Sequence, residues 1–299
     1  MSSAIRTENL SKKFFSVRAV RQLNLEIPQG AIYSLVGPNG AGKTTAIKML
    51  LNILSPTRGT AEVLGVDSSK LRGDLFTKIG YVSENQQQPE WMRVDQFFDY
   101  LRTFYPDWDR EVESSLIRQM QLPLDRKLRH LSRGMKMKAA LASSLAYRPK
   151  LIVLDEPFTG LDPLVRDELI ESLLERASEA TILISSHDLA EIESFSSHVG
   201  YMEDGQLKFS EEMSSLTNRF RDVQVTLNAP AAVLPNLPAS WLQPVTSGTT
   251  VQFIESRFQP DNTEKLVRAT FGEVRDVTFN PMSLRAIFLA MAKSGRRAD

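Results

Sequence analysis

The stretch GPNGAGKTT, running through Gly37, Pro38, Asn39, Gly40, Ala41, Gly42, Lys43, Thr44 and Thr45, decides how the rest of the chain is read. It fits the spacing Gly, four residues, Gly, Lys, Thr, the pattern of a loop that holds phosphate. Three small residues, Gly40, Ala41 and Gly42, let the backbone curl so that successive N–H groups point into one concavity, where a polyphosphate can accept them. Lys43 adds a point charge for the β and γ phosphates, and the Thr44 hydroxyl suits Mg²⁺. A helix starting here presents its positive end to the same anion. The flanks agree. AIYSLVG before the loop reads as a buried strand, and Ile47, Leu50, Leu51 and Leu54 after it recur at helical spacing.

At 299 residues the chain is long enough for one large domain and a smaller one. Lys and Arg balance Asp and Glu at 36 each, so net charge gives no sign of a nucleic-acid partner. The absence of cysteine excludes disulfides, thiolate metal sites and thiol catalysis, and favours a cytosolic compartment. MSSAIRTENL carries no export signal, and the best apolar run, AIFLAMA, falls far short of the roughly 20 residues of a membrane helix. Work at a membrane would need another chain to span it.

In chain order, AIRTENL and LNLEI read as strands, joined by SKKFFSVRAV. Phe14 and Phe15 in that connection are core residues or, alternatively, a ring that stacks on a nucleotide base. TRGTAEVLG and KIGYVSE are further strands. Residues 91–147 then turn helical: Val94, Phe97, Phe98 and Leu101 make one stripe, and Val112, Leu116 and Met120 another. The aromatic-rich stretch from Trp91 to Trp108 packs this insert or forms a socket for a partner's helix. Ser132 is a good N-cap for a helix over Met135 to Tyr147, whose N-terminus is a second candidate anion site.

LIVLDEP places Asp155 and Glu156 at the exit of a buried strand, where carboxylates are costly unless paired or metal-bound. Beside a phosphate loop, Asp155 is placed to hold Mg²⁺ and Glu156 to orient or deprotonate an attacking water. In GLDP, Asp162 and Pro163 start the next helix as N-cap and first residue. TILISSHDL is one more apolar strand that brings His187 within reach of a γ-phosphate, and GYMEDGQLKF is a hairpin turning at Asp204 and Gly205. Beyond about residue 220, alternating Val223, Val225 and Leu227, a proline-punctuated NAPAAVLPNLPAS, the runs TTVQFIE and EVRDVTF, and two helices indicate a small α+β unit.

Taken together, these motifs resemble the ATP-binding subunit of an ABC transporter, over residues 4 to about 220. GPNGAGKTT is similar to the family's Walker A loop, LSRGM to its signature, LIVLDEP to Walker B, GLDP to its D-loop and SSHDL to its switch histidine. The resemblance implies an α/β P-loop cassette (residues 1–219) with a helical subdomain near 91–147, followed by an accessory α+β domain (220–299). It implies ATP and Mg²⁺ as ligands, with Phe14 stacking on adenine. It further implies a head-to-tail dimer in which Ser132 and Gly134 touch the γ-phosphate held by the opposite chain, with Asp162 a further nucleotide-binding residue. Residues 84–108 would receive a helix of a separate membrane permease, so the chain would sit on the cytoplasmic face of a membrane.

Two positions depart from the pattern: the first signature glycine is Arg133, which is expected to tune the second anion site rather than abolish it, and the metal-contacting glutamine is Glu84, whose carboxylate is expected to reach Mg²⁺ through water. Like chains suffice for the dimer, since one chain carries every motif. The rival reading, a soluble ATPase of the same class acting on DNA or the ribosome, lacks here its usual long coiled-coil insertion or second cassette. A nucleotide-binding regulator without turnover is disfavoured by the presence of both Glu156 and His187.

Overall fold

The computed structural model describes residues 2–84, 86–230 and 237–295. The chain divides into two compact units, Met1–Ser210 and Glu211–Asp299. The first opens on an antiparallel hairpin. β1 (Ser3–Phe14) turns through Phe15 and Ser16 into β2 (Val17–Leu23), with Phe14 facing Val17 in the register. SKKFFSVRAV is therefore hairpin rather than connection, and its aromatics are not core: Phe14 is 41% exposed and Phe15 fully so. LNLEI likewise is not one strand. The chain breaks after Leu23 because the Thr7 hydroxyl accepts the Leu25 amide and donates to the Leu23 carbonyl, leaving only β3 (Glu26–Pro28) to pair with β1.

β4 (Ile32–Val36), buried at all five positions, feeds the Gly37 loop, and α1 (Lys43–Leu50) follows it. β5 (Arg58–Val63) and β6 (Val66–Asp67) return to the antiparallel sheet, whose order is β2-β1-β5-β6. After β7 (Ile79–Ser83) comes the helical insert: α2 (Val94–Arg102), α3 (Arg110–Gln119) and α4 (Arg133–Leu145). Both stripes expected there bury their apolar residues, Val94, Phe97 and Phe98 on α2 and Val112 and Leu116 on α3. At about 1.5–3 kcal/mol per buried side chain, this packing rather than intrinsic propensity holds such short helices. Glu113, itself buried, accepts bonds from Arg102 and from the Trp108 indole N–H at 2.6 Å.

The remaining elements of this unit are β8 (Leu151–Asp155), α5 (Pro163–Leu174), β9 (Thr181–Ser186), α6 (Leu189–Ile192), β10 (His198–Glu203) and β11 (Gln206–Glu212). They complete a six-stranded sheet, β11-β10-β4-β9-β8-β7, parallel from β10 to β7. Helices and the antiparallel sheet cover both faces, which is why β8 and β9 are apolar at successive positions. Alternate residues serve two cores: Ile152, Leu154, Ile182 and Ile184 pack with the helical insert, Leu151, Val153 and Leu183 with α1 and the antiparallel sheet.

The second unit begins earlier in the chain than residue 220. Within it, α7 (Met213–Arg219) buries Met213 and Leu216, and the Arg219 guanidinium bonds both Glu211 oxygens and the Ser256 carbonyl. β12 (Arg221–Leu227), β13 (Trp241–Ser247), β14 (Thr250–Glu255) and β15 (Val274–Pro281) form a sheet of order β13-β14-β12-β15. α8 (Pro260–Phe271) and α9 (Leu284–Gly295) complete it. Val223, Val225, Trp241, Phe253 and Val267 are its core. β13 has no counterpart among the expected strands, and residues 231–236 of the proline-punctuated connection lie outside the described residues.

Candidate functional site

Four neighbouring parallel strands release their chains at the same end of the sheet. Gly37 follows β4, His187 follows β9, Glu156 follows β8 and Glu84 follows β7. The crevice outside the carboxyl ends of such strands is where open α/β sheets bind ligands. Because the parallel register sets Asp155 opposite Ser185 and Ser83 opposite Asp155, residues far apart in sequence arrive side by side.

The Gly37 loop is clamped by backbone. Gly37 N donates to the Ser186 carbonyl, and the Ala41 carbonyl accepts from Gly205 N in the β10–β11 turn. Gly42, at φ 103, precedes α1 as its N-cap; a Cβ there would lie 2.4 Å from the Ala19 carbonyl oxygen of β2, so only glycine fits. Lys43 is 5% exposed, yet its ammonium is fully engaged. It donates to the Gly37 and Pro38 carbonyls at 2.6 and 3.3 Å and lies 3.0 Å from Glu156 Oε1.

Thr44 Oγ1 donates to Asp155 Oδ1 at 3.0 Å, and the same carboxylate oxygen accepts Ser185 Oγ at 2.7 Å. Glu156 sits next along the chain at φ 53, a left-handed conformation unusual for a side-chain-bearing residue and concentrated at functional sites. Its amide donates to Ser185 Oγ at 2.9 Å, and its Oε2 meets Thr159 Oγ1 at 3.2 Å and His187 Nδ1 at 2.7 Å. Burial pushes the Glu156 carboxyl up, but the His187 hydrogen bond and the Lys43 charge outweigh it and hold it below its ordinary value.

Lys43, Thr44, Asp155, Glu156 and His187, all singled out by sequence, thus form one connected group. Ser185 belongs to it and was missed; the signal was a polar pair, Ser185 and Ser186, closing an otherwise apolar strand. Ser132 caps α4 by accepting Met135 N, and Asp162 caps α5 by accepting Val165 N with Pro163 at the first turn. Gly134 packs against Val165, where a Cβ would come within 3.0 Å. Phe14 stands at the hairpin tip with the Lys12 ammonium 5.2 Å from its ring centre. Glu84 does not join the Thr44–Asp155 pair; its carboxylate is bonded to Arg133.

Chemically, a hydroxyl beside a carboxylate is a hard-oxygen donor pair of the kind Mg²⁺ takes together with substrate phosphates. Among the described residues no group of three or more His, Cys, Asp or Glu is placed to hold a metal by protein side chains alone. The donors therefore fit Mg²⁺ shared with a polyphosphate and do not fit a self-sufficient metal centre.

Strand, glycine-rich loop, helix and a Lys–carboxylate–His group at the strand exits define a P-loop nucleoside-triphosphatase cassette. A model of the ABC transporter family matches residues 20–159. The chain is 34% identical over 226 residues to the bacitracin transport ATP-binding protein BcrA of Enterococcus faecalis, covering 74% of this chain and 73% of that protein. It is 33% identical over 219 residues to the lantibiotic transport ATP-binding protein SrtF of Streptococcus pyogenes, covering 72% and 93%. A solved ATP-binding subunit of an ABC transporter superposes with a TM-score of 0.67 at 26% identity, covering 72% of this chain and 92% of that one. A dimeric ATP-binding cassette in a post-hydrolysis state with ADP and Pi shares the fold, with a TM-score of 0.62 at 23% identity over 70% of this chain and 98% of its own.

The chain belongs to the family of ABC transporter ATP-binding subunits, and it binds and hydrolyses ATP.

Proposed function

We propose that Gly37 to Thr45 cradle the triphosphate of ATP, with Phe14 stacked on the base. Lys43 then exchanges its Gly37, Pro38 and Glu156 partners for phosphate oxygens. Thr44 and Asp155 would hold Mg²⁺, which would supply charge neutralisation to the polyphosphate. Glu156, an ionised carboxylate at neutral pH, orients a water and takes its proton as the oxygen attacks the γ-phosphorus. The bond to the ADP oxygen breaks as phosphate forms. His187 holds the carboxylate and reaches towards the γ-phosphate.

Two copies of the chain close head to tail, so that Ser132, Gly134 and Asp162 of each complete the other's site. A separate membrane-spanning permease carries the cargo, which puts this chain on the cytoplasmic face of the membrane. Among the described residues no helix is long and apolar enough to cross a membrane, in keeping with that division of labour. A cleft of about 300 Å³ beside the helical insert, whose mixed lining includes Phe76, Leu101 and Tyr105 with Gln86 and Ser143, suits side chains presented by a helix of the permease.

The observation that carries this reading is the connected group at the strand exits, Thr44 on Asp155 and Lys43 on Glu156 on His187. Lys43→Ala tests it: ATP affinity measured by calorimetric titration drops sharply, and an affinity equal to the parent's counts against the phosphate-loop assignment. Pull-down from detergent extract tests the partner. A co-purifying multi-span protein supports transport, whereas co-purifying nucleic acid supports the rival.

A further inference from the structure

The two residues that break the family pattern, read from sequence as separate departures, are partners here. Arg133 Nη2 donates to Glu84 Oε1 at 2.5 Å, although 49 residues separate them. The guanidinium also packs beside Gly160, where a Cβ would come within 3.0 Å of Nη1, so the glycine leaves room for it. Three loops therefore meet at one cation: the exit of β7, the first residue of α4, and the turn between Glu156 and α5.

Position gives the contact its meaning. Glu84 N donates to the Asp155 carbonyl at 3.0 Å, one residue beyond the Ser83–Asp155 register. Glu84 thereby adds a third carboxylate to the strand exits already occupied by Asp155 and Glu156, where a polyphosphate has to bind. A glutamine and a glycine at these positions would bring no charge. Glutamate and arginine bring one of each sign, and they cancel only if they stay together.

We propose that Arg133 is a positioning residue for nucleotide binding within its own chain: it neutralises Glu84 and keeps that carboxylate at the start of α4, so that the two substitutions work as a unit. The proposal rests on the reading of Gly37 to Thr45 as the nucleotide site. Arg133 acts here through Glu84 and not by touching the ligand. The two side chains are 48% and 28% exposed, so solvent screens the pair and the effect is moderate, about three- to fivefold in affinity.

The test is a double-mutant cycle on the full chain, read as affinity for ADP with Mg²⁺ by calorimetric titration. ADP does not turn over, and it lacks the γ-phosphate that a second cassette would contact. Arg133→Gln weakens ADP binding about three- to fivefold, Glu84→Gln stays within about twofold of the parent, and the double variant returns to the Glu84→Gln value. Arg133→Gly repeats the first arm should Arg133→Gln lower the melting temperature. Parent-like affinity in Arg133→Gln overturns the proposal. So does a double variant as weak as Arg133→Gln, which would mean that the cation meets the nucleotide directly. A parent that binds no ADP instead overturns the nucleotide-site reading itself, and is told apart from both.

Discussion

Replacing Ser185 by alanine removes one oxygen that does two jobs. Its hydroxyl, fully buried, donates to Asp155 Oδ1 at 2.7 Å and accepts the Glu156 amide at 2.9 Å. A hydrogen bond to a charged group contributes about 1.5–3 kcal/mol, and a buried amide left without an acceptor costs about 1–3 kcal/mol. Asp155 keeps its bond from Thr44, so the sum overstates the loss and about 2–4 kcal/mol is expected. For a domain of this size, each kcal/mol lowers the melting temperature by roughly 2–4 °C, giving a fall on the order of 10 °C by calorimetry. Turnover falls further than ATP affinity does, because the amide that loses its acceptor is the one that sets Glu156 at φ 53. Ser196→Ala, removing a buried hydroxyl bonded to the Ser34 hydroxyl on the same sheet, is the control and costs less. A Ser185→Ala protein with a parent-like melting temperature and turnover would refute the bridging role.

Glu156→Gln slows steady-state ATP hydrolysis by about 10²- to 10⁴-fold while sparing ATP affinity; unchanged turnover removes Glu156 from the role of base. The pH dependence of stability follows from the same carboxylate. Its folded pKa lies below its ordinary value, so the unfolded state binds the proton more readily. The stabilisation is fully present at neutral pH and is lost as pH falls through the depressed folded value. Thermal melts in the acid range are therefore steeper in pH for the parent than for Glu156→Gln, and superimposable curves would contradict the ion-pair geometry. Phe14→Ala weakens ATP binding by about 1–3 kcal/mol through lost base stacking, Phe14→Tyr restores it, and equal affinity in all three proteins would leave the hairpin tip without that role.

How far the residues could be read follows how local each feature is. The phosphate loop, the stripes of α2 and α3 and the Asp204–Gly205 turn depend on neighbours within a few positions, and all were legible. Where a distant side chain intervenes, pattern failed. Alternation through Leu23, Leu25 and Ile27 promised one strand, but Thr7 captured the backbone around Leu25 and split it. The Phe14 hairpin looked like a connection because bulges interrupt the β1–β2 register on both sides of Lys12. β13 was hidden by Pro244 and by a left-handed Gln243, both tolerable because the strand lies at a sheet edge. At the site, His187 was expected within reach of a γ-phosphate, yet the role of Ser185 depends on the strand register itself. Glu84 and Arg133 looked like independent departures because their relation exists only after folding.

The central claim, that a triphosphate sits in the Gly37–Thr45 cradle, is tested most directly by a crystal structure of the chain with a nonhydrolysable ATP analogue and Mg²⁺. The account predicts phosphate oxygens on the loop amides and Lys43, the metal beside Thr44 and Asp155, and Glu156 released from Lys43 to face the γ-phosphate. Clear nucleotide density elsewhere, with Lys43 still bonded to Gly37 and Glu156, would contradict it.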